Sequence, residues 1–224
     1  MTPILVFDLV GTLLDLGALD DDFASIFGDK RVRKEWFSEV QTLFMMTIAV
    51  KTYSEFGRIA EAALKIIEQR YEKPLGSTER AELLAKLKQL PSFSDVHDGL
   101  DKLRAAGFTL AVLTNSGPAA VKAVLDHAKL SKYFDKAISA DSVKRFKPAV
   151  EPYQLAAREL GVNVSSLMLV AAHSWDIAGA SRAGCQTCLV RRPDEVLDEI
   201  TPTPTLIVAD LRHLSRQLGG LTAA

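Results

Sequence analysis

Six polar residues stand where short apolar segments of this chain end: Asp8, Thr114, Asn115, Lys147, His173 and Asp176. Together they supply two carboxylates, a hydroxyl, an amide, an ammonium and an imidazole, the groups that a nucleophilic displacement with acid–base assistance requires. An ionised acid at the end of a buried strand needs a charged or hydrogen-bonded partner. Because Asp8 ends the apolar run PILVFD, we assign it a functional rather than a structural role.

The strands that end near these residues can be predicted from the apolar runs. They cover residues 3–8, 109–113, 136–139, 167–171, 187–190 and 206–208. Helical patterns separate them, and this alternation predicts an α/β fold with a Rossmann-like, doubly wound parallel sheet. The carboxyl ends of the strands in such a sheet lie at one edge, where ligands bind. We therefore expect the six polar residues to converge there.

The region between the first two strands has a different pattern. No strand is predicted over residues 19–90, and apolar residues recur there at helical spacing over 33–49, 54–71 and 77–90. This pattern predicts an all-helical cap domain of residues 17–90. The cap is inserted into a core domain of residues 1–16 and 91–224.

The composition excludes several classes of function. The 27 basic and 28 acidic residues give a net charge of −1, so nothing in the charge balance points to nucleic acid. No apolar run approaches about 20 residues, so no membrane-spanning helix is expected. The first 14 residues lack a cationic start and are interrupted by Asp8, which does not fit a signal peptide. A cytoplasmic enzyme is expected.

Four segments resemble the four motifs of the haloacid dehalogenase superfamily. They are residues 7–15 (FDLVGTLLD), Thr114-Asn115, Lys147-Pro148 and Trp175-Asp176, and a helical cap follows the first, as in that family. The resemblance implies a Rossmann-like core with a mobile cap. It also implies that Asp8 is a covalent nucleophile.

Two positions separate this chain from the magnesium-dependent phosphatases of the superfamily. Those enzymes carry a second Asp in the first motif and a further acid in the fourth, where this sequence has Val10 and Ala172. A hard divalent cation needs several oxygen ligands, so we expect no metal and no other cofactor. The sequence is instead similar to the 2-haloacid dehalogenase branch, in which a Tyr stands six residues after the Lys of the Lys-Pro step, here Tyr153 and Lys147.

This branch implies hydrolysis of short 2-haloalkanoic acids to 2-hydroxy acids through an ester at Asp8, and fluoroacetate is a candidate substrate. The partner is thus a small carboxylate substrate. Lys147 would keep Asp8 ionised, and His173 or Asp176 would activate the hydrolytic water. The residues expected to bind the substrate or orient the nucleophile are Val10, Thr12, Phe37, Thr114, Asn115, Tyr153 and Trp175.

Three departures from the branch bear on the leaving group. Phe37 stands where the branch has a halide-binding Arg, Val10 replaces a Tyr, and His173 replaces an Asn. Arg31 and Arg33 lie one turn before Phe37 and could substitute for the missing Arg, but helical geometry turns them away from the site and favours solvated surface charges. An imidazolium at His173 could donate a hydrogen bond to a poor leaving group such as fluoride, or its neutral form could accept a proton.

The same departures keep a second function open. This is displacement of a non-halide leaving group at carbon two of a small carboxylic or amino acid, such as the opening of a strained C–N ring. A non-catalytic binding protein with this fold is a third candidate. It is disfavoured because binding alone has no need for Asp8, Lys147 and Asp176 together.

Remaining apolar residues are expected mainly in the core. One or two of four phenylalanines are expected to close over the site: Phe23, Phe27, Phe44 and Phe56. The apolar helices around Phe44 and Leu64 also suggest a homodimer. Cys185 and Cys188 have CxxC spacing, but Cys188 falls in a strand pattern, so burial rather than redox chemistry is predicted.

Overall fold

A six-stranded sheet forms the centre of the computed structural model, which describes residues 3–193 and 195–222. Its strands are β1 (Ile4–Phe7), β2 (Leu110–Thr114), β3 (Lys136–Ser139), β4 (Leu167–Ala171), β5 (Gln186–Val190) and β6 (Leu206–Val208). All neighbours pair in parallel, in the order β3-β2-β1-β4-β5-β6. The predicted α/β fold is confirmed, and each predicted strand end lies within one residue of the observed end.

The register of the central strands decides which loops meet. Phe7 of β1 is level with Val112 of β2 on one side and with Val170 of β4 on the other. The residues that follow these strands therefore emerge at the same edge of the sheet. Asp8 consequently lies between the loops that follow β2 and β4.

Helices cover both faces of this sheet. They are α1 (Asp20–Phe27), α2 (Val32–Ala49), α3 (Phe56–Arg70), α4 (Ser77–Ala85), α5 (Val96–Ala105), α6 (Pro118–His127), α7 (Val150–Leu160), α8 (Ser174–Ala183) and α9 (Leu211–Thr222). Side chains along a strand alternate between the two faces. Leu5 and Phe7 accordingly share a core with residues of α5 and α9, whereas Val6 packs with residues of α7 and α8.

Four helices, α1 to α4, lie between β1 and β2. The predicted helix over 77–90 is α4 followed by a 3-10 turn over Lys86–Gln89. The sequence analysis missed α1. Its first turn consists of residues 20–22 (DDD), which favour a helix start because they oppose the positive end of the helix dipole. Phe23 and Phe27, one turn apart, bury the inner face of α1.

Apolar side chains of these helices pack on one another. The indole N–H of Trp36 donates to the carbonyl of Ala60 at 3.0 Å, and the Phe23 ring lies 5.5 Å from the Trp36 ring. Phe44 and Leu64 are 1% and 0% exposed. The residues that suggested a homodimer are therefore buried within one chain, and the homodimer stays a prediction. The boundaries between cap and core also stay a prediction.

Two expectations drawn from composition can be compared with the structure. Within the described ranges, every helix is too short or too polar to cross a bilayer. Cys188 is buried in β5, and burial raises the pKa of its thiol to about 12. A thiol with so high a pKa is unreactive near neutral pH, in agreement with a structural role.

Candidate active site

Asp8 follows β1 at the carboxyl edge of the sheet, where the structure also brings Lys147, His173 and Asp176. The backbone N–H of Asp8 donates to the carbonyl of Val170 at 3.0 Å, which holds the end of β1 against β4. Asp8 is 5% exposed, and the other three predicted catalytic residues are still more deeply buried. Four titratable side chains thus meet in one desolvated cluster.

Three donors surround the carboxylate of Asp8. The Lys147 ammonium donates to Oδ1 at 2.8 Å, and the Thr12 hydroxyl donates to Oδ2 at 2.7 Å. Nδ1 of His173 lies 3.2 Å from Oδ2. Burial alone would raise the pKa of Asp8, but the charge of Lys147 and the hydrogen bond from His173 outweigh it and hold the pKa well below its usual range. Asp8 is therefore ionised, as a nucleophile must be.

The Lys147 ammonium has one acceptor for each of its three protons. These are Oδ1 of Asp8 at 2.8 Å, Oδ2 of Asp176 at 2.5 Å and the carbonyl of Leu113 at 2.9 Å. Burial lowers the pKa of Lys147, but the charges of Asp176 and Asp8 outweigh it and raise the pKa. Asn115 fixes the Lys147 backbone, accepting its N–H at 2.8 Å and donating to its carbonyl at 3.2 Å.

Asp176 and Tyr153 lie behind Lys147, away from the cavity that Asp8 faces. The Tyr153 hydroxyl donates to Oδ1 of Asp176 at 2.6 Å, and Lys147 occupies Oδ2. Burial raises the pKa of Asp176 against the opposing charge of Lys147, and burial also raises the pKa of Tyr153. The expected contact of Tyr153 with substrate does not hold, because its hydroxyl is committed to Asp176. With both oxygens occupied, Asp176 positions Lys147.

Thr12 orients the nucleophile. Its side chain is buried, its hydroxyl donates to Asp8, and the same oxygen accepts the N–H of Ala172 at 3.0 Å. A hydroxyl has only one proton to donate, so the expected hydrogen bond from Thr12 to a substrate carboxylate does not hold. Thr12 instead ties the turn after β1 to the residue that follows β4.

The imidazole of His173 is held on several sides. It stacks on the indole of Trp175, with ring centroids 5.0 Å apart, and Nε2 lies 3.4 Å from Oε1 of Glu195. Gly11, at φ +81°, lets the ring approach, because a Cβ there would lie 2.8 Å from Cε1. Burial lowers the pKa of His173, but its hydrogen bond to Asp8 and the charges of Asp8 and Glu195 raise it above 6.5. These contacts favour the protonated ring.

A cavity of about 20 Å³ lies in front of Asp8, with room for one or two water molecules. The predicted site residues in its lining are Asp8, Val10, Phe37, Thr114, Asn115, Lys147, His173 and Trp175. Phe44 and Phe56 are the phenylalanines that close over it.

Ser116 also lines this cavity but was not predicted from the sequence, although it directly follows two predicted residues. Its N–H donates to the Thr114 hydroxyl oxygen at 3.2 Å, so the proton of that hydroxyl stays available for a ligand.

Arg33 is buried, contrary to the expectation that it is a solvated charge. It is 3% exposed, and its Nε donates to Oδ1 of Asp20 at 2.8 Å. Together with Phe37 it lines a separate cavity of about 220 Å³. Arg31 is exposed, as expected, and pairs with Asp29. The difference arises from α1, whose first residue is Asp20 and which the sequence analysis did not predict.

The carboxylates at this edge do not form the ligand set of a divalent cation. Lys147 bridges Asp8 and Asp176, and Val10 and Ala172 occupy the positions where the phosphatases carry further acids. In the part of the chain that the structure describes, no group of three or more His, Cys, Asp or Glu side chains could hold a metal ion. A hard cation needs more oxygen ligands than this edge offers.

Comparisons with known proteins agree with this geometry. A family model for haloacid dehalogenase-like hydrolases matches residues 2–184. The (S)-2-haloacid dehalogenase of Pseudomonas sp. (strain YL) is 31% identical over 212 residues, which cover 93% of this chain and 90% of that protein. Haloacetate dehalogenase H-2 of Moraxella sp. (strain B) is 24% identical over 215 residues, 91% of this chain and 92% of that protein.

A solved structure shares the fold over nearly the whole chain. It is the L-2-haloacid dehalogenase from Xanthobacter autotrophicus with chloropropionic acid covalently bound, at a TM-score of 0.92 and 21% identity, covering 99% of this chain and 100% of that one. At this identity the likeness shows the fold alone. The family model and the relative from Pseudomonas carry the further conclusion that this chain belongs to the haloacid dehalogenase-like hydrolases.

Proposed function

We propose that this hydrolase removes the halide from short 2-haloalkanoic acids, haloacetates included, and yields 2-hydroxy acids. The proposal is carried by one observation: an ionised Asp8, bound by Lys147, faces a small cavity whose lining includes the rings of Phe37, Phe44, Phe56 and Trp175. Val10 cannot protonate a leaving oxygen, which disfavours phosphate ester hydrolysis. The names of the relatives from Pseudomonas and Moraxella support haloacids as the substrate class.

In the first step a carboxylate oxygen of Asp8 attacks carbon two of the substrate. A C–O bond forms while the carbon–halogen bond breaks, the halide leaves with the bonding pair, and carbon two inverts. Oδ1 suits this attack, because it accepts only from Lys147 among the described residues, whereas Oδ2 has two partners. The free hydroxyl proton of Thr114 binds the substrate carboxylate. Aromatic rings, whose edges are partially positive, receive the halide.

The second step hydrolyses the ester at Asp8. Water attacks Cγ of Asp8 and gives one of its protons to His173. The bond between Cγ and the oxygen on carbon two then breaks, and that oxygen takes the second proton of the water, so that the 2-hydroxy acid leaves and Asp8 is again a carboxylate. Ester formation removes the charge of Asp8, one cause of the raised pKa of His173, whereas the burial that lowers this pKa remains. His173 thus releases its proton to solvent after the ester forms and becomes a general base when one is needed.

A single turnover in ¹⁸O-labelled water tests this mechanism. With enzyme in excess over 2-chloropropanoate, we expect the label in the carboxylate of Asp8 and none in the lactate, as read by mass spectrometry of the peptide and of the product. Label in the lactate would mean that water attacks the substrate directly and would refute the ester. Asp8→Asn should abolish turnover while the circular dichroism spectrum stays unchanged.

Phe37 favours a second candidate function. It places an apolar ring where a cationic halide partner is expected, and it lines the cavity in front of Asp8. The same attack by Asp8 could then open a strained C–N ring at carbon two of an amino acid, with the ring nitrogen as leaving group. A panel of fluoro-, chloro- and bromoacetate against strained cyclic amino acids separates the two. Turnover of the cyclic acids alone would replace the haloacid proposal.

A further inference from the structure

A larger cavity adjoins the one in front of Asp8. Its volume is about 280 Å³, against about 20 Å³ for the catalytic cavity. Val10, Phe56 and Ser116 line both cavities, so these three side chains lie between the two. The larger cavity extends from them between α3 and α4 on one side and α6 on the other.

The size difference limits what each cavity can hold. The catalytic cavity has room for only one or two water molecules, so it has no space to spare for a substituent on carbon two beyond the reacting groups. Any longer substituent on carbon two needs space elsewhere. The larger cavity provides it directly beyond Val10, whose short side chain is the smallest apolar group between the cavities.

The lining of the larger cavity is apolar and built from small residues. Gly57, Ala81 and Ala120 leave its volume open, and Lys88 supplies the charged group in its lining. Lys88 is exposed, so its ammonium stays hydrated while its methylene stem faces the cavity. Such a lining favours an uncharged hydrocarbon group.

We infer that this larger cavity binds the alkyl substituent on carbon two of the substrate, so that the enzyme prefers 2-haloacids with longer chains, such as 2-halohexanoate, to 2-halopropanoate. The inference rests on the proposed dehalogenase activity and adds a substrate class to it. Each methylene buried in the cavity should raise kcat/KM about fourfold. The three additional methylenes of 2-bromohexanoate over 2-bromopropanoate should together raise it about 60-fold.

The test measures kcat/KM for 2-bromopropanoate, 2-bromobutanoate, 2-bromopentanoate and 2-bromohexanoate on the wild type and three variants. Ala81→Phe places a ring in the cavity and should remove most of the increase in kcat/KM with chain length. Ala62→Phe is the matched control, because Ala62 is also an exposed helical alanine but lies outside the lining. It should keep the wild-type gain. Ala120→Leu fills the cavity from α6 and should act as Ala81→Phe does.

The outcomes separate this inference from the proposed function. If 2-bromopropanoate is turned over but kcat/KM stays constant or falls as the chain lengthens, the larger cavity does not bind the alkyl substituent. The proposed dehalogenation would still stand. Equal profiles for Ala81→Phe and Ala62→Phe would overturn it as well, because the gain would then arise elsewhere. Absence of turnover for every bromoacid would refute both the dehalogenation and the binding of the alkyl substituent in the larger cavity.

Discussion

Nδ1 of His173 lies 3.2 Å from Oδ2 of Asp8, the same carboxylate oxygen that accepts the Thr12 hydroxyl proton. Lys147 occupies the other oxygen and also binds Asp176. The ammonium of Lys147 therefore lies between two carboxylates, in a cluster that is almost fully buried. In an in-line displacement the leaving group departs on the side of carbon two opposite to the attacking oxygen. His173 is thus placed for the ester at Asp8 rather than for the leaving halide.

Thr12→Val should lower kcat/KM by about 10- to 150-fold, the worth of one hydrogen bond to a charged group. The change removes the donor to Oδ2 of Asp8 and also leaves the N–H of Ala172 without an acceptor. Steady-state kinetics on chloroacetate measures the effect. Thr12→Ser keeps the hydroxyl and should keep most of the activity. Full activity in Thr12→Val together with a loss in Thr12→Ser would show that the methyl group, not the hydrogen bond, matters.

Lys147→Met should destabilise the fold by about 3–5 kcal/mol, because it leaves two buried carboxylates without their shared cation. Urea unfolding measures the change in the free energy of unfolding. Adding Asp176→Asn to this variant should recover part of the loss, since one uncompensated charge disappears. Lys122→Met is the control, because Lys122 pairs with Asp126 at the surface and should leave stability nearly unchanged. If the changes in the free energy of unfolding caused by Lys147→Met and Asp176→Asn simply add in the double variant, the two residues are not coupled. That result would contradict the interpretation that Lys147 is the cation shared by both carboxylates.

EDTA should leave activity unchanged. The prediction follows from the chemistry of the donor set, since Lys147 bridges the two carboxylates and Val10 and Ala172 replace the further acids of the phosphatases. Initial rates are compared before and after dialysis against the chelator. Loss of activity that magnesium restores would reopen phosphoryl transfer as the reaction.

The convergence of the catalytic cluster could be predicted from the sequence because parallel strands share one carboxyl edge. Asp8 and His173 follow β1 and β4, which are neighbours in the sheet. Lys147 follows β3, which β2 separates from β1, and its ammonium reaches Asp8 past the carbonyl of Leu113 in β2. These placements depend on where the strands end along the chain, and the periodicity of hydrophobic residues predicts those positions well.

The allocation of hydrogen bonds could not be predicted in the same way. Thr12 and Tyr153 belong to the right segments, but the structure commits both hydroxyls to carboxylates inside the cluster. Which polar group faces a cavity depends on distances of a few ångströms between elements, and a sequence pattern does not contain them. Arg33 shows the same limit, because its burial depends on Asp20 in a short helix that lacks a long apolar period.

The pKa of His173 should fall when the charge of Asp8 is removed. In the wild type the hydrogen bond to Asp8 and the charges of Asp8 and Glu195 outweigh the effect of burial and raise the pKa of His173. Asp8→Asn mimics the uncharged ester and removes the charge that raises the pKa of His173. The lowering effect of burial then dominates, so His173 should lose its proton at a lower pH than in the wild type. Titration of the imidazole followed by ¹⁵N NMR measures the shift. Asp126→Asn, which changes a surface carboxylate, should leave the titration as it is, and an unchanged pKa in Asp8→Asn would contradict the proposed release of the proton.

His173→Asn should slow the hydrolysis of the ester far more than its formation. A general base contributes about 10²- to 10⁴-fold to such a step, so the ester should accumulate. Mass spectrometry of the peptide that contains Asp8 should then show the added carboxymethyl group during turnover. Because chloroacetate and bromoacetate form the same ester, their kcat values should converge in this variant, whatever their ratio in the wild type.

The competing role for His173 predicts a different pattern for the same variant. A hydrogen bond from the imidazolium to the leaving group would matter most for fluoride, whose charge is concentrated, and least for bromide. Loss of that bond would slow fluoroacetate about 10- to 150-fold more than bromoacetate, and no ester would accumulate. The position of Nδ1 beside Oδ2 of Asp8 favours the first pattern. A selective loss of fluoroacetate turnover without trapped ester would therefore move His173 from the hydrolytic step to the halide.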